Sequence, residues 1–540
     1  MRIFPNLSRT AGLTAGLTTS LTIGLTGLGL ADVPAPSVPA FPLLAPGDFA
    51  VLAYWTQFVG QPADPVTKAL PDNRTIEMRF VLTGDRDCDG VQVSQTGAAV
   101  VAATKRGTLQ GGGHFVTTPD GGRERVADYT VTICAAPLAA SATEASLVKT
   151  DGAALVVYPG GGVAQVPGPA QLGQASGDPG KITGIALGDS GCRGAAHGQV
   201  CRDANGQRKN WFLADIAADA AQLKPDFVLH VGDYHYFYED DQEFWDSQNG
   251  QDKFGYWLQE FLIPAAPLLH SAPWLFGRGN HEQCNGQWVG NAWHILFDAR
   301  APAQGDASCS EGIPPTWAVD LAPADGKTAP FRFMMIDNAQ GGSNFAGYQQ
   351  AKAAGAPFDN AKVGWIGHYP PLKLAQWKVG GRETWHSTNG TFGLIQANMA
   401  DAVRPCVTDK PCMPSVVFAG HQHFFQEFTF DPADALPVIQ IIGHAGVMIG
   451  AEQMPGYRAG GNSSTCTGDF AGKMPFAMVR GANATLRTAQ VFGYLELTRD
   501  VGTDANPAAA SGWDTTLHWA GMGAGETVDF PMIAGSTCPD

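Results

Sequence analysis

Short apolar runs separated by turn-forming residues fill the chain between residues 48 and 160. Four runs, at 75–82, 90–94, 129–133 and 153–158, show the partial two-residue alternation of half-buried strands. Glycine and aspartate clusters lie between them, as is typical of turns. The pattern predicts a smaller all-β, sandwich-like N-terminal domain over 48–160. We expect it to serve as a packing unit and spacer, with sugar or partner binding as the alternative.

The pattern changes at residue 181. An apolar run at 182–187 is followed by apolar residues at helical spacing between 211 and 223, and then by a second apolar run at 226–231. This order predicts a right-handed crossover between two parallel strands. Further elements are predicted as a helix at 254–262, a long loop at 285–328, and strands at 331–336, 363–367, 415–419, 438–442, 491–497 and 516–519. Residues 181–540 are therefore predicted to form an α/β domain.

Polar side chains follow these buried runs at the point where each run ends. They are Asp189, Asp233, Asn280, His368, His421 and His423. Because the carboxyl ends of parallel strands meet at one edge of a sheet, we expect these side chains to lie close together. Taken singly, Asp189 and Asp233 are equally well explained as helix caps or turn formers. Their place in an ordered series of such runs favours a common site.

Composition limits the classes of function. The chain has 540 residues, which is too long for one typical hydrophobic core, and two or more domains are expected. Its formal net charge of −16, without a run of lysine or arginine, argues against a nucleic-acid-binding surface. An acidic protein that handles phosphate needs a local positive centre, which bound metal ions would supply.

The N-terminal segment has the pattern of a secretory signal. A short basic start is followed by an uncharged, threonine-rich apolar stretch and a small-residue cleavage site, which predicts a signal peptide over 1–31. The alternative is an uncleaved membrane anchor. Proline- and alanine-rich residues at 32–47, and glycine-rich residues at 161–180, are predicted linkers. We expect a secreted or periplasmic protein with no membrane span in the mature chain.

Ten cysteines in an oxidising compartment favour disulfides over thiolate metal sites. No Cys-x-x-Cys sequence occurs, which makes a zinc ribbon improbable. Pairing of neighbours is the simplest hypothesis, although the sequence alone does not fix it. The pairs would be Cys88–Cys134, Cys192–Cys201, Cys284–Cys309, Cys406–Cys412 and Cys466–Cys538.

With Tyr236 added, the strand-end groups form a set of seven oxygen and imidazole ligands: Asp189, Asp233, Tyr236, Asn280, His368, His421 and His423. This mixture suits iron, zinc or manganese, and it suits calcium poorly because of the imidazoles. Seven groups exceed what one ion normally takes. If Asp233 bridges, they divide into two four-ligand sets, which describes a dinuclear centre with ions ~3.5–4 Å apart.

Five sequence runs carry a resemblance to a known family. They are Gly-Asp-Ser-Gly at 188–191, Gly-Asp-Tyr-His-Tyr at 232–236, Gly-Asn-His-Glu at 279–282, His368, and Gly-His-Gln-His at 420–423. In this order they resemble the signature of the purple acid phosphatases, a branch of the calcineurin-like metallophosphoesterases. The resemblance covers about 181–450, and it implies a layered β-sandwich flanked by helices. Other branches usually place a histidine where this chain has Gly191, whereas Tyr236 stands where the purple branch has its phenolate.

The resemblance also implies a division of the ligands between two ions. One ion, typically Fe(III), would take Asp189, Asp233, Tyr236 and His423. The second, Fe(II), Zn or Mn, would take Asp233, Asn280, His368 and His421. His281 would stay outside the coordination sphere as a general acid.

The chemistry expected of such a centre is phosphoric ester hydrolysis. Two cations lower the pKa of a shared water, and the resulting hydroxide attacks phosphorus in line. They also neutralise the phosphate oxygens. His281 would protonate the departing alkoxide, and Glu282 is predicted to orient His281.

Four further side chains are candidates for substrate contacts: His235, Arg278, His386 and His444. For Arg278 the alternative is an ion pair with a carboxylate, which is commoner for an arginine beside a strand. His230 lies within a predicted strand and is interpreted as a core histidine.

The first choice of function is a phosphomonoesterase acting on a small phosphate ester. A phosphodiesterase or nucleotide pyrophosphatase on the same site is the close alternative, because the ligand set does not distinguish these substrates. A secreted binding protein with structural metals is the alternative from another class.

Overall fold

A computed structural model describes the chain from Phe49 onward, with gaps. The described residues are 49–60, 75–112, 115–117, 123–125, 127, 129–153, 155–158, 162–171, 181–193, 199, 201, 211–236, 253–282, 290–300, 316–321, 331–339, 345–355, 363–371, 375–379, 382–386, 414–430, 436–447, 463–469, 483–500, 512–520 and 532–537. The predicted signal peptide, the predicted linker at 32–47, and the proposed pairs involving Cys284, Cys309, Cys406, Cys412 and Cys538 lie outside this part and stay predictions. The predicted linker at 161–180 is described over 162–171, where Gln165–Pro167 form a strand that pairs with 144–146.

The N-terminal strands are, in chain order, β1 Ala50–Val59, β2 Thr75–Thr83, β3 Val91–Thr96, β4 Val101–Ala102, β5 Thr104–Gly111, β6 Phe115–Thr117, β7 Arg123–Arg125, β8 Tyr129–Leu138, β9 Glu144–Lys149, β10 Val156–Val157 and β11 Gln165–Pro167. Two short 3₁₀ turns also occur, at Cys88–Gly90 and Pro169–Gln171. The described part of this region contains strands and no α-helix, which confirms its all-β character.

The later strands are β12 Lys181–Leu187, β13 Phe227–His230, β14 Trp274–Phe276, β15 Trp317–Leu321, β16 Phe331–Met335, β17 Val363–Ile366, β18 Ala375–Val379, β19 Arg382–His386, β20 Val416–Ala419, β21 Phe425–Phe430, β22 Val438–Ile442, β23 Ser463–Asp469, β24 Asn483–Ala489, β25 Gly493–Asp500, β26 Asp514–Trp519 and β27 Met532–Thr537. The helices are α1 Leu213–Gln222, α2 Phe254–Trp257, α3 Ala266–Leu269, α4 Gly290–Leu296 and α5 Phe345–Gly355. A π-helical turn, Leu258–Leu262, follows α2, and a 3₁₀ turn covers Asn280–Glu282.

The larger sheet joins the two halves of the sequence. Its order among the described strands is β26-β25-β12-β13-β14-β1-β2-β8-β5, with β10 beside β1. The β12, β13 and β14 strands are parallel, which confirms the predicted crossover. The first strand of the chain, β1, pairs in parallel with β14 through Gln57 and Trp274. The N-terminal strands therefore extend the sheet that carries Asp189, Asp233 and Asn280, and all described residues belong to one compact unit.

A second sheet lies against the first. Its described strands follow the order β15-β16-β17-β20-β22-β21-β24-β23-β27, and the four strands β16, β17, β20 and β22 are parallel. The facing sides share one core, in which the rings of Phe227 and Phe333 have centroids 5.6 Å apart. On the other face of the first sheet, α1 buries Leu213, Ile216 and Ala217. The predicted layered sandwich flanked by helices is confirmed.

The hydrophobic pattern of the sequence did not predict every helix and strand correctly. The predicted loop at 285–328 contains α4, whose Trp293 and Leu296 are buried, and β15, which pairs antiparallel with β16. Each element is too short to show a period by itself, and partners distant in sequence stabilise it. The strand predicted at 153–158 is reduced to the two residues of β10.

Two predicted disulfides are present. Cys88 and Cys134 have Cα atoms 6.0 Å apart and join the 3₁₀ turn before β3 to β8. Cys192 and Cys201, with Cα atoms 5.9 Å apart, close a loop directly after the Asp189 segment. Among the helices that the structure describes, none combines the length and apolar character that crossing a membrane requires.

Candidate metal centre

The chain turns sharply where it delivers the predicted ligands. Asp189, Asp233 and His421 have φ angles of 52°, 58° and 67°, in the left-handed region that residues other than glycine seldom adopt. Each follows a buried parallel strand, namely β12, β13 and β20. Such backbone strain persists only where the surroundings enforce it, and it concentrates at functional sites.

Two glycines allow the strand ends to approach one another. A Cβ atom at Gly279 would lie 2.1 Å from Oδ1 of Asp233, and one at Gly420 would lie 2.4 Å from Oδ2 of Asp189. Any side chain at either position would displace a carboxylate. Gly279 and Gly420 are therefore required for the close approach of the strand ends at the site.

Two fully buried carboxylates form its centre. The Tyr236 hydroxyl donates to Oδ2 of Asp233 at 2.8 Å and lies 3.2 Å from Oδ1 of Asp189. Nε2 of His368 lies 3.2 Å from Oδ2 of Asp233, and Nε2 of His423 lies 3.6 Å from Oδ1 of Asp189. The structure therefore brings together five groups that come from four separate segments of the chain.

Asn280 and His421 complete the cluster. The amide oxygen Oδ1 of Asn280 lies 2.6 Å from Nδ1 of His421 and 2.9 Å from Nε2 of His368. Asp233, His368 and His421 each offer a ligand atom, and these three atoms lie within 4.8 Å of one another. All seven predicted ligands thus converge at the C-terminal edge of the parallel strands.

A backbone contact fixes the orientation of His368. Its Nδ1 atom lies 3.0 Å from the carbonyl oxygen of Val231, which directs Nε2 toward Asp233 and Asn280. Histidines that bind metal are commonly held in this way through their second nitrogen. The His368 amide in turn donates to Oδ1 of Asn338 at 2.7 Å.

Glu282 has backbone partners that the sequence did not predict, and its predicted role in orienting His281 stays a prediction. Its buried carboxylate accepts hydrogen bonds from the backbone N–H groups of Asp233, Tyr234 and Gly279, at 3.0, 2.9 and 2.9 Å. These contacts hold the turn after β13 against the turn after β14. Glu282 is therefore a positioning residue for the loop backbone, and the orientation of the His281 ring does not rest on these bonds.

His281 lies at the rim of the cluster. Its backbone N–H donates to Oδ1 of Asp233 at 2.9 Å, and its ring centroid is 4.1 Å from that of Tyr236. Nε2 is 4.0 Å from Oδ2 of Asp233. The ring is 9% exposed, whereas the two aspartates are at most 1% exposed, so His281 reaches farther toward solvent than they do.

The protein groups concentrate negative charge in this buried space. Burial, reinforced by the charge of Asp233, raises the pKa of Asp189 to about 8. Burial also raises the pKa of the Tyr236 phenol, and both carboxylates add to the effect. Burial lowers the pKa of His421 and lowers that of His423 to about 3, so both imidazoles are neutral at pH 7. Although burial disfavours its charged form, Asp233 raises the pKa of His368 to about 9, so His368 and Asp189 would each release a proton when a cation binds.

The donor set fits a transition-metal centre. Carboxylate, imidazole, amide and phenol oxygen or nitrogen atoms face a common space, and Asp233 contacts members of both predicted ligand sets. Iron, zinc and manganese accept such mixtures. A cation would also compensate carboxylates that are costly to bury by themselves.

The four candidate substrate contacts have different outcomes. Arg278 is buried and donates to Oδ2 of Asp337 at 2.7 Å. It therefore forms the ion pair with a carboxylate that was the alternative to a substrate contact. His444 is fully buried and packs at 5.9 Å from the Phe425 ring, which is a core position. His235 is 1% exposed, with Nδ1 3.6 Å from Oε2 of Glu260. The His386 side chain lies outside the described part.

His230 is the core histidine that its strand position predicted. Nε2 lies 2.9 Å from the Ser190 hydroxyl, Nδ1 accepts from the Gly232 N–H at 3.1 Å, and the ring stacks on Tyr234 at 3.9 Å.

Sequence reasoning missed two residues that hold the site. Oδ1 of Asn338 accepts from the N–H groups of both His368 and Tyr369, at 2.7 and 3.0 Å. Its position just after β16 was an available signal. Glu260 accepts from the Tyr236 N–H at 2.6 Å, and a single acidic residue within an aromatic helix gave no comparable signal.

Comparison with known proteins agrees with this geometry. Residues 186–318, which include Asp189, Asp233 and Asn280, match the family model described as calcineurin-like phosphoesterase. No curated protein shows significant sequence similarity to the chain. Among solved structures, the purple acid phosphatase PPD1 from yellow lupin (Lupinus luteus) seeds matches 89% of this chain and 74% of its own, with a TM-score of 0.48 and 14% identity. Residues 186–318 thus match a calcineurin-like phosphoesterase domain, and the predicted enzyme class, a hydrolase of phosphoric esters, is confirmed.

Proposed function

We propose that the protein is a secreted or periplasmic phosphomonoesterase of the purple acid phosphatase type, with a dinuclear metal centre. The observation that carries the proposal is the convergence of Asp189, Asp233 and Tyr236. One carboxylate oxygen of each aspartate lies within 3.2 Å of the tyrosine hydroxyl, beside the three predicted histidine ligands. The family model supports phosphoester hydrolysis, and Tyr236 together with Gly191 supports the purple branch.

The proposed centre would hold two ions that share Asp233. Its Oδ2 atom lies 2.8 Å from the Tyr236 hydroxyl and 3.2 Å from Nε2 of His368, and Nε2 of His423 lies 3.6 Å from Asp189. Asn280 and His421 contact each other beside His368. When bound, two such cations would activate a water as nucleophile and neutralise the phosphate oxygens.

The residues of the chain supply position and a proton. The turn bonds of Glu282 and the carbonyl of Val231 hold Asp233 and His368 in place. Burial of both aspartates excludes bulk water from the ligand cluster, which strengthens electrostatic interactions there. His281, at the rim, would protonate the departing alkoxide.

Secretion is supported by the signal-like N-terminal pattern and by two disulfides. Cys88–Cys134 and Cys192–Cys201 are both formed. Disulfides persist in oxidising compartments and are rare where thiols are kept reduced.

Tyr236→Phe should remove the visible colour of the iron-loaded protein. The substitution keeps the ring that packs on His281 and deletes the hydroxyl that contacts both aspartates. The measurement is the visible absorption spectrum with iron content on the same sample. Tyr234→Phe is the matched control, because the Tyr234 hydroxyl donates to the Gly277 carbonyl and touches neither aspartate in these contacts. A colourless wild type with full iron would contradict the assignment of Tyr236.

His281→Ala should slow hydrolysis of an alkyl phosphate by about 10²–10⁴-fold, the usual contribution of a general acid. The loss should be much smaller for a nitrophenyl phosphate, since a weakly basic leaving group needs little protonation. The measurement is kcat for both esters, and for the matching diesters, at constant metal content. His270→Ala is a control, because His270 stacks on Tyr54 away from the cluster.

Equal losses for the two leaving groups would argue against His281 as the acid. If the wild type preferred diesters, the proposed metal centre would stand, and the phosphodiesterase alternative would replace the phosphomonoesterase. Two bound metals without turnover of any ester would favour the binding-protein alternative.

A further inference from the structure

One buried carboxylate that contacts the Tyr236 backbone, that of Glu260, is not among the predicted ligands. Glu260 belongs to the π-helical turn Leu258–Leu262 and is fully buried. Turns of this kind are rare and often occur at functional sites. A buried carboxylate without compensating partners is strongly unfavourable, so its partners indicate its role.

Glu260 joins the two loops that carry the central aspartates. Its Oε1 atom accepts the backbone N–H of Cys192 at 2.8 Å and the backbone N–H of Tyr236 at 2.6 Å. Cys192 lies three residues after Asp189, and Tyr236 lies three residues after Asp233. Both bonds end on the same carboxylate oxygen, so Glu260 ties the two loops together.

Gly191 shows how closely these parts fit. A Cβ atom at this position would lie 2.7 Å from Oε1 of Glu260 and 2.7 Å from Cδ2 of Tyr236. A side chain at 191 would displace the carboxylate and the tyrosine ring together. The missing side chain thus leaves room both for Glu260 and for the ring of Tyr236.

Glu260 and Glu282 bind different parts of the loop at 233–236. Glu282 accepts the N–H groups of Asp233 and Tyr234, and Glu260 accepts that of Tyr236. Glu282 therefore holds the start of the loop, where Asp233 turns into the site. Glu260 holds its end, where the Tyr236 ring enters between the aspartates.

We infer that Glu260 is a positioning residue for Tyr236, fixing its hydroxyl against Asp189 and Asp233 through the backbone N–H of Tyr236. This inference rests on the proposed function insofar as that hydroxyl is a metal ligand. The residue acts through Tyr236 and needs no contact with substrate.

Glu260→Ala and Glu260→Gln test the inference. In Glu260→Ala the Tyr236 N–H loses its acceptor, and we expect the visible band of the iron-loaded protein to shift or weaken, with a 10–100-fold loss of kcat, the usual range for residues that hold a ligand in place. Glu260→Gln retains an oxygen acceptor without the charge and should recover most of the band. Glu427→Ala is the matched control: it removes a buried carboxylate that binds Arg487 and Gln440, and it should lower thermal stability while the band stays unchanged.

Crystal structures of the metal-free wild type and Glu260→Ala provide a readout that does not depend on activity. We expect the Tyr236 hydroxyl to leave hydrogen-bonding distance of Asp233 in the variant. An unmoved hydroxyl, or a band and kcat equal to those of the wild type, would overturn the inference. If the wild type itself shows neither band nor hydrolysis, the proposed function fails, while the position of the hydroxyl still decides the role of Glu260.

Discussion

Replacing Asp233 with asparagine is expected to lower kcat/KM for phosphoester hydrolysis by about 10³-fold or more. If Asp233 is a ligand of both proposed ions, loss of its charge would weaken the loaded centre by several kcal/mol, and each 1.4 kcal/mol corresponds to a tenfold change in rate. Asp233 contacts the Tyr236 hydroxyl at 2.8 Å, Nε2 of His368 at 3.2 Å and the His281 N–H at 2.9 Å. Through its carboxylate, Asp233 contacts Tyr236 of one predicted ligand set and His368 of the other.

The measurement combines steady-state kinetics with metal content per chain. We expect Asp233→Asn to bind fewer than two ions, because an amide is neutral and binds transition metals more weakly than a carboxylate. Asp320→Asn serves as the control. Asp320 is a buried carboxylate that pairs with Arg332 at 2.6 Å between β15 and β16, so its substitution should destabilise the fold and leave the metal content unchanged. Full metal loading and activity within tenfold of the wild type would refute a bridging role for Asp233.

Arg79→Ala is expected to destabilise the protein by about 3–5 kcal/mol, the usual cost of removing one partner from a buried charge pair. Arg79 is fully buried on β2, where it pairs with Glu77 and donates to the carbonyl oxygens of Leu296 and Asp298 at 2.6 and 2.7 Å. These carbonyls lie at the C-terminal end of α4, where cations are favourable. The N-terminal strands thus clamp the helix that follows the Asn280 turn.

The Arg79→Ala variant should also lower kcat, because α4 packs against a residue next to the site. Trp293 of α4 packs on Arg278 with the guanidinium 6.0 Å from the ring centroid, and Arg278 directly precedes Gly279. A displacement of about 1 Å at a catalytic group is enough to cost 10²-fold in rate. The measurements are the thermal midpoint and kcat for a phosphomonoester.

Arg86→Ala is the matched control for Arg79→Ala. Arg86 follows the same strand and donates to the Thr83 carbonyl within the N-terminal region, at 2.7 Å. We expect only a small change in the midpoint and none in kcat. If Arg79→Ala behaved like this control, the N-terminal strands would have the spacer role that the sequence first suggested.

The convergence of the predicted ligands could be predicted from sequence because it depends on local features of the chain. Asp189 and Asp233 each follow an apolar strand within two residues, and parallel strands bring such positions to one edge whatever loops connect them. Tyr236 has a fixed spacing from Asp233, and His421 and His423 share one strand end. For the same reason the core assignment of His230 and the pairing of Cys192 with Cys201 could be predicted over short distances in the chain.

Groups whose role is set by distant backbone were not predictable. Glu282 stands next to His281 in sequence, but its carboxylate turns to the N–H groups of Asp233, Tyr234 and Gly279. His444 follows a strand as the predicted ligands do, yet it lies in the core beside Phe425. The position of a residue in the sequence indicates which site it is near. It does not show in which direction the side chain points.

The sequence by itself determined which residues would meet, the sandwich of parallel strands that brings them together, and the class of chemistry they support. Only the tertiary structure showed that β1 pairs with β14, so that the N-terminal strands continue the catalytic sheet and reach α4 through Arg79. Only the tertiary structure placed Glu260 under Tyr236. The physical reason is that strand order and buried hydrogen bonds depend on pairings between segments far apart in the chain, and no local period encodes those pairings.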